Sequence, residues 1–211
     1  MTMIAVIDYG MGNLRSMAKA LEHVGAGDVR VTDDVATIRR ADRVVFPGQG
    51  AVRDCMSALR DHDLVEVLRE VVADRPFLGV CMGMQALMTR SEENEGVAAL
   101  DVYPGSVRHF RHLTGGREDL KIPHMGWNQV YRRGTHPLWD GIDDGERFYF
   151  VHSYYVEPED PALVLGTADY GETFAAVIGR DNVFATQFHP EKSQHAGLRL
   201  LENFVRWDGR A

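Results

Sequence analysis

Basic residues are scarce in this 211-residue chain: 23 Lys and Arg stand against 31 Asp and Glu, for a formal net charge of -8. No Lys/Arg cluster stands out, which argues against a nucleic-acid-binding surface. Cysteine is scarcer still. Cys55 and Cys81 lie far apart and form no C-x-x-C pair, so neither a disulfide framework nor a zinc knuckle is indicated, and a reducing cytoplasm fits best. No apolar run reaches the roughly 20 residues that span a bilayer. The N-terminus passes from Met1 into a strand pattern ending at Asp8 without a basic leader, so a soluble cytoplasmic protein with no membrane contact is expected. The turn at Gly10 to Gly12 lacks the full G-x-G-x-x-G pattern, and Gly48-Gln49-Gly50 lacks the Lys-Ser or Lys-Thr ending of a phosphate loop. No dinucleotide or other cofactor is therefore assigned. His109 and His112 form an isolated His-x-x-His with no third ligand nearby, and no metal is expected. Internal repeats, low-complexity tracts and interdomain linkers are also missing.

The chain does hold an ordinary globular balance, 45% hydrophobic and 26% charged, over a length that suits a single α/β domain spanning residues 1–211. Its first half alternates strand and helix signals. Ile4 to Ile7, Val29 to Val31, Val44 to Phe46 and Phe77 to Val80 read as strands, and Leu14, Met17, Leu21 and Val24 have helical spacing. Strands this uniformly apolar, joined by helices, predict a doubly wound, mostly parallel sheet covered on both faces. From about Val102 the strands shorten. Gly126 to Tyr131 and Arg147 to Val151 predict antiparallel additions at one edge of that sheet. His109 to Lys121 is expected to be a surface loop, and Gly197 to Trp207 a closing helix. In such a fold ligands collect at the carboxyl ends of the parallel strands.

Two segments carry reaction chemistry. In Gly79-Val80-Cys81-Met82-Gly83 a buried strand turns abruptly, with glycines on both sides of the turning residue. A residue at such an elbow is held in a strained conformation and presented to solvent, and the helix that follows favours thiolate over thiol. The plainer alternative is a small, inert core cysteine. Downstream, Val183 to Ala185 reads as a strand followed at once by His189-Pro190-Glu191. A nucleophilic thiol needs a base within reach, and the base needs a third group to fix its tautomer. Pro190 stiffens the link, and the two-residue offset lets both side chains face one side. The glycine loop Pro47 to Gly50 should reach the same carboxyl edge and offer a backbone N–H to an oxyanion, or serve as a simple strand-to-helix turn.

The elbow, the glycine loop and the His-Pro-Glu ending resemble the triad-type, class I glutamine amidotransferases. Asp8 to Leu14, Pro123 to Asn128, Phe150 to Tyr154 and His189 to Ser193 are similar, more narrowly, to the glutaminase subunits of imidazole glycerol phosphate synthases. The resemblance runs from Ile4 to about Phe204. It implies a flavodoxin-like fold, glutamine as substrate, and a separate (β/α)8 cyclase subunit as partner in histidine biosynthesis. It also implies Cys81 as nucleophile, His189 as base and acid, and Glu191 as orienter. Gly48, Gln49 and Met82 would form the oxyanion site, while Gly50, Gln85, Glu93, Ser153 and Tyr154 would hold glutamine. Asn13, Trp127, Tyr149 and Lys192 would face the partner. The residue between the two loop glycines is often valine in the family, whereas here it is Gln49. Competing functions are another triad-type amidotransferase, a γ-glutamyl hydrolase, or a noncatalytic thiol-sensing subunit. The first two should lack the Pro123 to Asn128 and Lys192-Ser193 segments, and the last needs no His189–Glu191 pair.

Overall fold

Continuous apolar runs place four strands at the buried centre of the molecule. The computed structural model describes residues 2–115 and 120–210, and its elements follow the chain in this order. The first part comprises β1 (Met3–Ile7), α1 (Leu14–His23), β2 (Asp28–Thr32), α2 (Val35–Arg40), β3 (Arg43–Gly48), α3 (Val52–Asp61), α4 (Leu64–Val72), β4 (Phe77–Cys81) and α5 (Met82–Gln85). Then come β5 (Met88–Ser91), β6 (Val97–Ala98), β7 (Tyr103–His109), α6 (Arg111–Thr114), β8 (His124–Arg132), β9 (Glu146–His152) and β10 (Tyr154–Pro158). The last are β11 (Val164–Tyr170), β12 (Glu172–Arg180), β13 (Val183–Thr186) and α7 (Gln194–Arg206).

Strands β2-β1-β3-β4-β13 lie side by side and parallel. Because side chains alternate across a strand, each run feeds two cores. Ala5, Ile7, Val44 and Phe46 pack on one face with Ile38, Leu59, Val67 and Leu68 from α2, α3 and α4. Ile4, Val6, Val45, Leu78 and Val80 pack on the other with Met17 and Leu21 of α1 and Leu200, Leu201 and Phe204 of α7. This is the doubly wound arrangement expected. Full burial of each such side chain contributes about 1.5–3 kcal/mol.

Beyond β13 the pairing turns antiparallel, through β12, β10 and β7, while β11 carries the β8–β9 hairpin off the edge of β12. The antiparallel additions thus sit on one side, as expected, but their strands are not shorter: β8 and β12 run 9 residues each, whereas β1 and β4 run 5. The expected loop over residues 109–121 is only partly that: His109 ends β7 and Arg111–Thr114 form a short helix, while residues 116–119 lie outside the described residues. His112 faces a carboxylate, its Nε2 lying 2.9 and 3.1 Å from the two oxygens of Glu92. Among the described residues no group of three or more His, Cys, Asp or Glu is placed to hold a metal ion, and no helix is long and apolar enough to cross a membrane.

Parallel pairing has one consequence for chemistry. The carboxyl ends of β1, β3, β4 and β13 all face the same edge, and the register sets Gly48 opposite Cys81 and Thr186 opposite Val80. The segments singled out from the sequence therefore converge.

Candidate active site

Cys81 ends β4 with φ 55° and ψ -103°, a conformation that L-residues avoid. Holding it costs on the order of 1–3 kcal/mol and needs support from the packing around it. The flanking glycines supply the room. A Cβ on Gly79 would come 2.9 Å from the Gly83 carbonyl oxygen and 3.1 Å from the Ala185 Cβ, while one on Gly83 would overlap the Phe46 carbonyl. Two sequence expectations need correction. Cys81 is only 6% exposed, with Val151 and Gln187 against it, so the sulfur faces a cavity rather than bulk solvent. The helix after it is a single turn, Met82–Gln85, so its dipole is small; the free N–H groups of its first turn remain. Cys55 is fully buried in α3, and burial pushes its thiol up to about 12. Cys55 lies within a helix, whereas Cys81 stands at a strand end and lines a cavity.

His189 lies just past β13 and is fixed through its backbone. Its N–H donates to the Tyr149 carbonyl at 2.9 Å, and its own carbonyl accepts from Ser193 Oγ at 2.6 Å. Ser193 Oγ in turn accepts from the Tyr149 N–H at 3.0 Å. His189 Nδ1 is 2.9 Å from Glu191 Oε1, with the two side chains 2% and 3% exposed. A carboxylate can only accept here, so Nδ1 carries the hydrogen, while Nε2 is buried without a hydrogen-bond partner among the described residues. Burial on its own would lower the affinity of His189 for a proton. The neighbouring Cys81 sulfur and the Glu191 carboxylate outweigh it and hold His189 up to about 10.

A cavity of about 470 Å3 opens over the sulfur. Cys81, Met82, His189, Gln49, Gly50, Gln85, Glu93, Ser153, Tyr154, Tyr149 and Lys192 all line it. Gly48 pairs with Cys81 but does not line the cavity; a Cβ on it would meet the Met82 Cβ at 2.7 Å and overlap the Tyr9 hydroxyl. The strand expected to end at Phe46 thus continues through Gly48. Glu93 Oε2 accepts the Val52 N–H at the start of α3, at 2.8 Å, and burial raises its pKa. Gln85 is 3% exposed, and its Nε2 is committed to the Tyr154 carbonyl and to Gln187 Oε1. Asn13 and Trp127 lie outside the cavity. Asn13 precedes α1 without capping it through its side chain, and Trp127 is 42% exposed on β8 with its ring 6.1 Å from that of Tyr149.

Three further residues at the site were not singled out from the sequence. Ser193 clamps the His189 backbone, Gln187 donates to the sulfur at 3.7 Å, and His152 lines the cavity. Ser193 and His152 could have been found from their places in the His189 to Ser193 and Phe150 to Tyr154 motifs; Gln187 carries no signal of its own. Met125 (65% exposed) and Tyr131 (39%) extend the Trp127 face along β8.

A strained thiol next to a buried imidazole–carboxylate pair can cleave an amide through a covalent acyl intermediate. The family model of class I glutamine amidotransferase matches residues 5–207, and the chain belongs to that family. The first-named subunit HisH of imidazole glycerol phosphate synthase from Pseudomonas aeruginosa is 60% identical over 100% of this chain and 99% of its own length. The HisH subunit from Acinetobacter baylyi is 57% identical over 99% of this chain and 100% of its own. At this likeness the chain stands among the HisH subunits of that synthase. A solved PurLQS structure from Thermotoga maritima superposes with a TM-score of 0.72 over 97% of this chain and 98% of that one; at 18% identity it speaks for the fold alone.

Proposed function

We propose that the chain hydrolyses glutamine for histidine biosynthesis through a thioester on Cys81 and passes the ammonia to a (β/α)8 cyclase subunit. The observation that carries this is the 2.9 Å His189–Glu191 bond, buried beside the strained Cys81 in a cavity of substrate size.

The Cys81 thiolate attacks the side-chain amide carbon of glutamine. Charge collects on the amide oxygen, which the Met82 N–H and an N–H from the Gly48 to Gly50 segment meet. Losing one such donor costs on the order of 10² to 10³ in rate. His189 Nε2 gives its proton to the leaving nitrogen as the C–N bond breaks, releasing ammonia and leaving a γ-glutamyl thioester. His189, now neutral, takes a proton from water. The resulting hydroxide adds to the thioester carbonyl, glutamate leaves, and the thiolate and the imidazolium are restored. Glu191 holds the imidazole in one tautomer and stabilises its charge. Gln85, the carboxylate of Glu93 and the Ser153–Tyr154 backbone line the space for the glutamine head group.

Tyr149 and Lys192 at the cavity mouth, with Asn13, Trp127, Met125 and Tyr131 beyond it, form the face offered to the cyclase. Aromatic and Met side chains left in water on one strand face are typical of an interface core. A cytoplasmic location follows from the pathway. The test is glutamate release by the chain alone and mixed with a cyclase subunit and its nucleotide ligand. Turnover should be low alone and rise in the complex, Cys81→Ala should abolish both, and Lys192→Ala should lower the stimulated rate more than the basal one. Equal turnover with and without the cyclase would overturn the partner assignment.

A further inference from the structure

We propose that one chain of amide and imidazole hydrogen bonds sets both the Cys81 sulfur and the Ser153–Tyr154 segment. In it Gln187 is a further catalytic residue, and His152 and His124 are positioning residues. The inference rests on the glutamine-hydrolysing function proposed above.

The chain has two arms that meet at the Tyr154 carbonyl. On the first, Gln85 Nε2 donates to that carbonyl at 3.2 Å and to Gln187 Oε1 at 3.0 Å, and Gln187 Nε2 donates to Cys81 Sγ at 3.7 Å. On the second, His152 Nδ1 lies 2.7 Å from the same carbonyl, His124 Nδ1 2.9 Å from His152 Nε2, and Asn128 Nδ2 3.3 Å from His124 Nε2. Asn128 Nδ2 is itself anchored on the Asp169 carbonyl at 2.8 Å. Gln187 is fully buried, and Gln85, His124 and His152 are buried as well.

A carbonyl only accepts, and that fact orients every member. Gln85 must turn its NH2 to Tyr154, so it also presents hydrogen to Gln187; Gln187 must answer with its oxygen, which leaves its own NH2 facing the sulfur. A donor is thereby forced onto the nucleophile, where it stabilises thiolate rather than thiol. On the other arm His152 must carry its hydrogen on Nδ1. If its ring is neutral, Nε2 accepts from His124, and a neutral His124 accepts from Asn128. Burial supplies that neutrality, pushing His152 down to about 3 and His124 down to about 4. The β8–β9 register, with His124 opposite His152, makes the contact. A fully satisfied buried network of this kind holds one conformation, and here the part held is the backbone that faces the substrate.

The two arms make separable predictions in the assembled cyclase complex. Gln187→Glu keeps the length and the bond from Gln85 but puts oxygen on the sulfur. Iodoacetamide alkylation of Cys81, mapped by peptide mass, and kcat should both fall at least about tenfold, with KM for glutamine little changed. Gln187→Met, which has no donor and fits an apolar site, should show the same direction if the Glu variant folds poorly. His124→Leu should raise KM for glutamine several-fold without slowing alkylation. His124→Asn, which keeps a donor at the Nδ1 position, should restore KM. Wild-type alkylation in both Gln187 variants, or equal KM in His124→Leu and His124→Asn, would overturn the inference. Failure of the wild-type complex to hydrolyse glutamine would instead remove the function beneath it, and the two failures read out separately.

Discussion

Adding one methyl group at Gly79 tests whether close packing at the elbow holds the nucleophile in place. In Gly79→Ala the new Cβ would lie 2.9 Å from the Gly83 oxygen, 3.1 Å from the Gly83 carbonyl carbon and 3.1 Å from the Ala185 Cβ. Two of the three obstacles are backbone, so no side chain can rotate away. Ordinary contact requires the α5 turn and β13 to separate from β4 by about half an ångström, and overpacking of this kind typically costs about 1–3 kcal/mol. For a chain of this size that is roughly 2–12 °C in Tm, at about 2–4 °C per kcal/mol. The same displacement moves Cys81 relative to His189, which follows β13. Since a 1 Å misplacement can cost about 10²-fold in rate, half of that should cost about tenfold in kcat/KM. Scanning calorimetry and glutamate release in the cyclase complex measure the two effects. Ala185→Gly in the same background removes one of the three contacts and should recover part of the activity. A Gly79→Ala protein with wild-type Tm and wild-type rate would refute the packing argument.

Two further outcomes follow from the buried titratable groups. Glu191→Gln keeps size and reach but removes the charge that stabilises the imidazolium, so it should lose less activity than Cys81→Ala or His189→Ala; equal losses at all three positions in steady-state kinetics would contradict the orienting role. His124 and His136, held down to about 4, and His152, held down to about 3, stay neutral in the fold, whereas their unfolded value is 6.5. Below pH 6.5 the unfolded chain binds protons that the native one refuses. Stability should therefore fall as pH drops from 6.5 toward 4, by up to about 1.4 kcal/mol per unit for each histidine. His189, raised to about 10, acts oppositely: its contribution is complete below pH 6.5 and is lost as pH rises through 10. Urea midpoints from pH 7 to pH 5 for the wild type and for His136→Gln test the acid limb, where the variant should be the less steep of the two and identical slopes would contradict it.

The central parallel strands were legible because burial on both faces demands unbroken apolar runs, and β1, β3, β4 and β13 have them. The elbow was legible for the same steric reason that makes Gly79 and Gly83 obligatory. The length of α5 was not. Met82, Met84, Ala86, Leu87 and Met88 are all buried, and an apolar run of that kind does not reveal where a helical turn stops and a strand begins. The burial of Cys81 was hidden too, since it depends on Val151 and Gln187 arriving from distant strands. The His124–His152 contact follows from pairing register, and a lone histidine in a sequence carries no information about its register partner.

The most direct test of the proposed chemistry is to trap the acyl enzyme. The cyclase complex turning over glutamine should be quenched in acid within milliseconds, digested and weighed. A γ-glutamyl adduct should appear on the peptide that contains Cys81, disappear on standing with hydroxylamine, and be missing from Cys81→Ala. Steady turnover with no adduct on that peptide, or an adduct on Cys55 instead, would contradict thioester catalysis at Cys81.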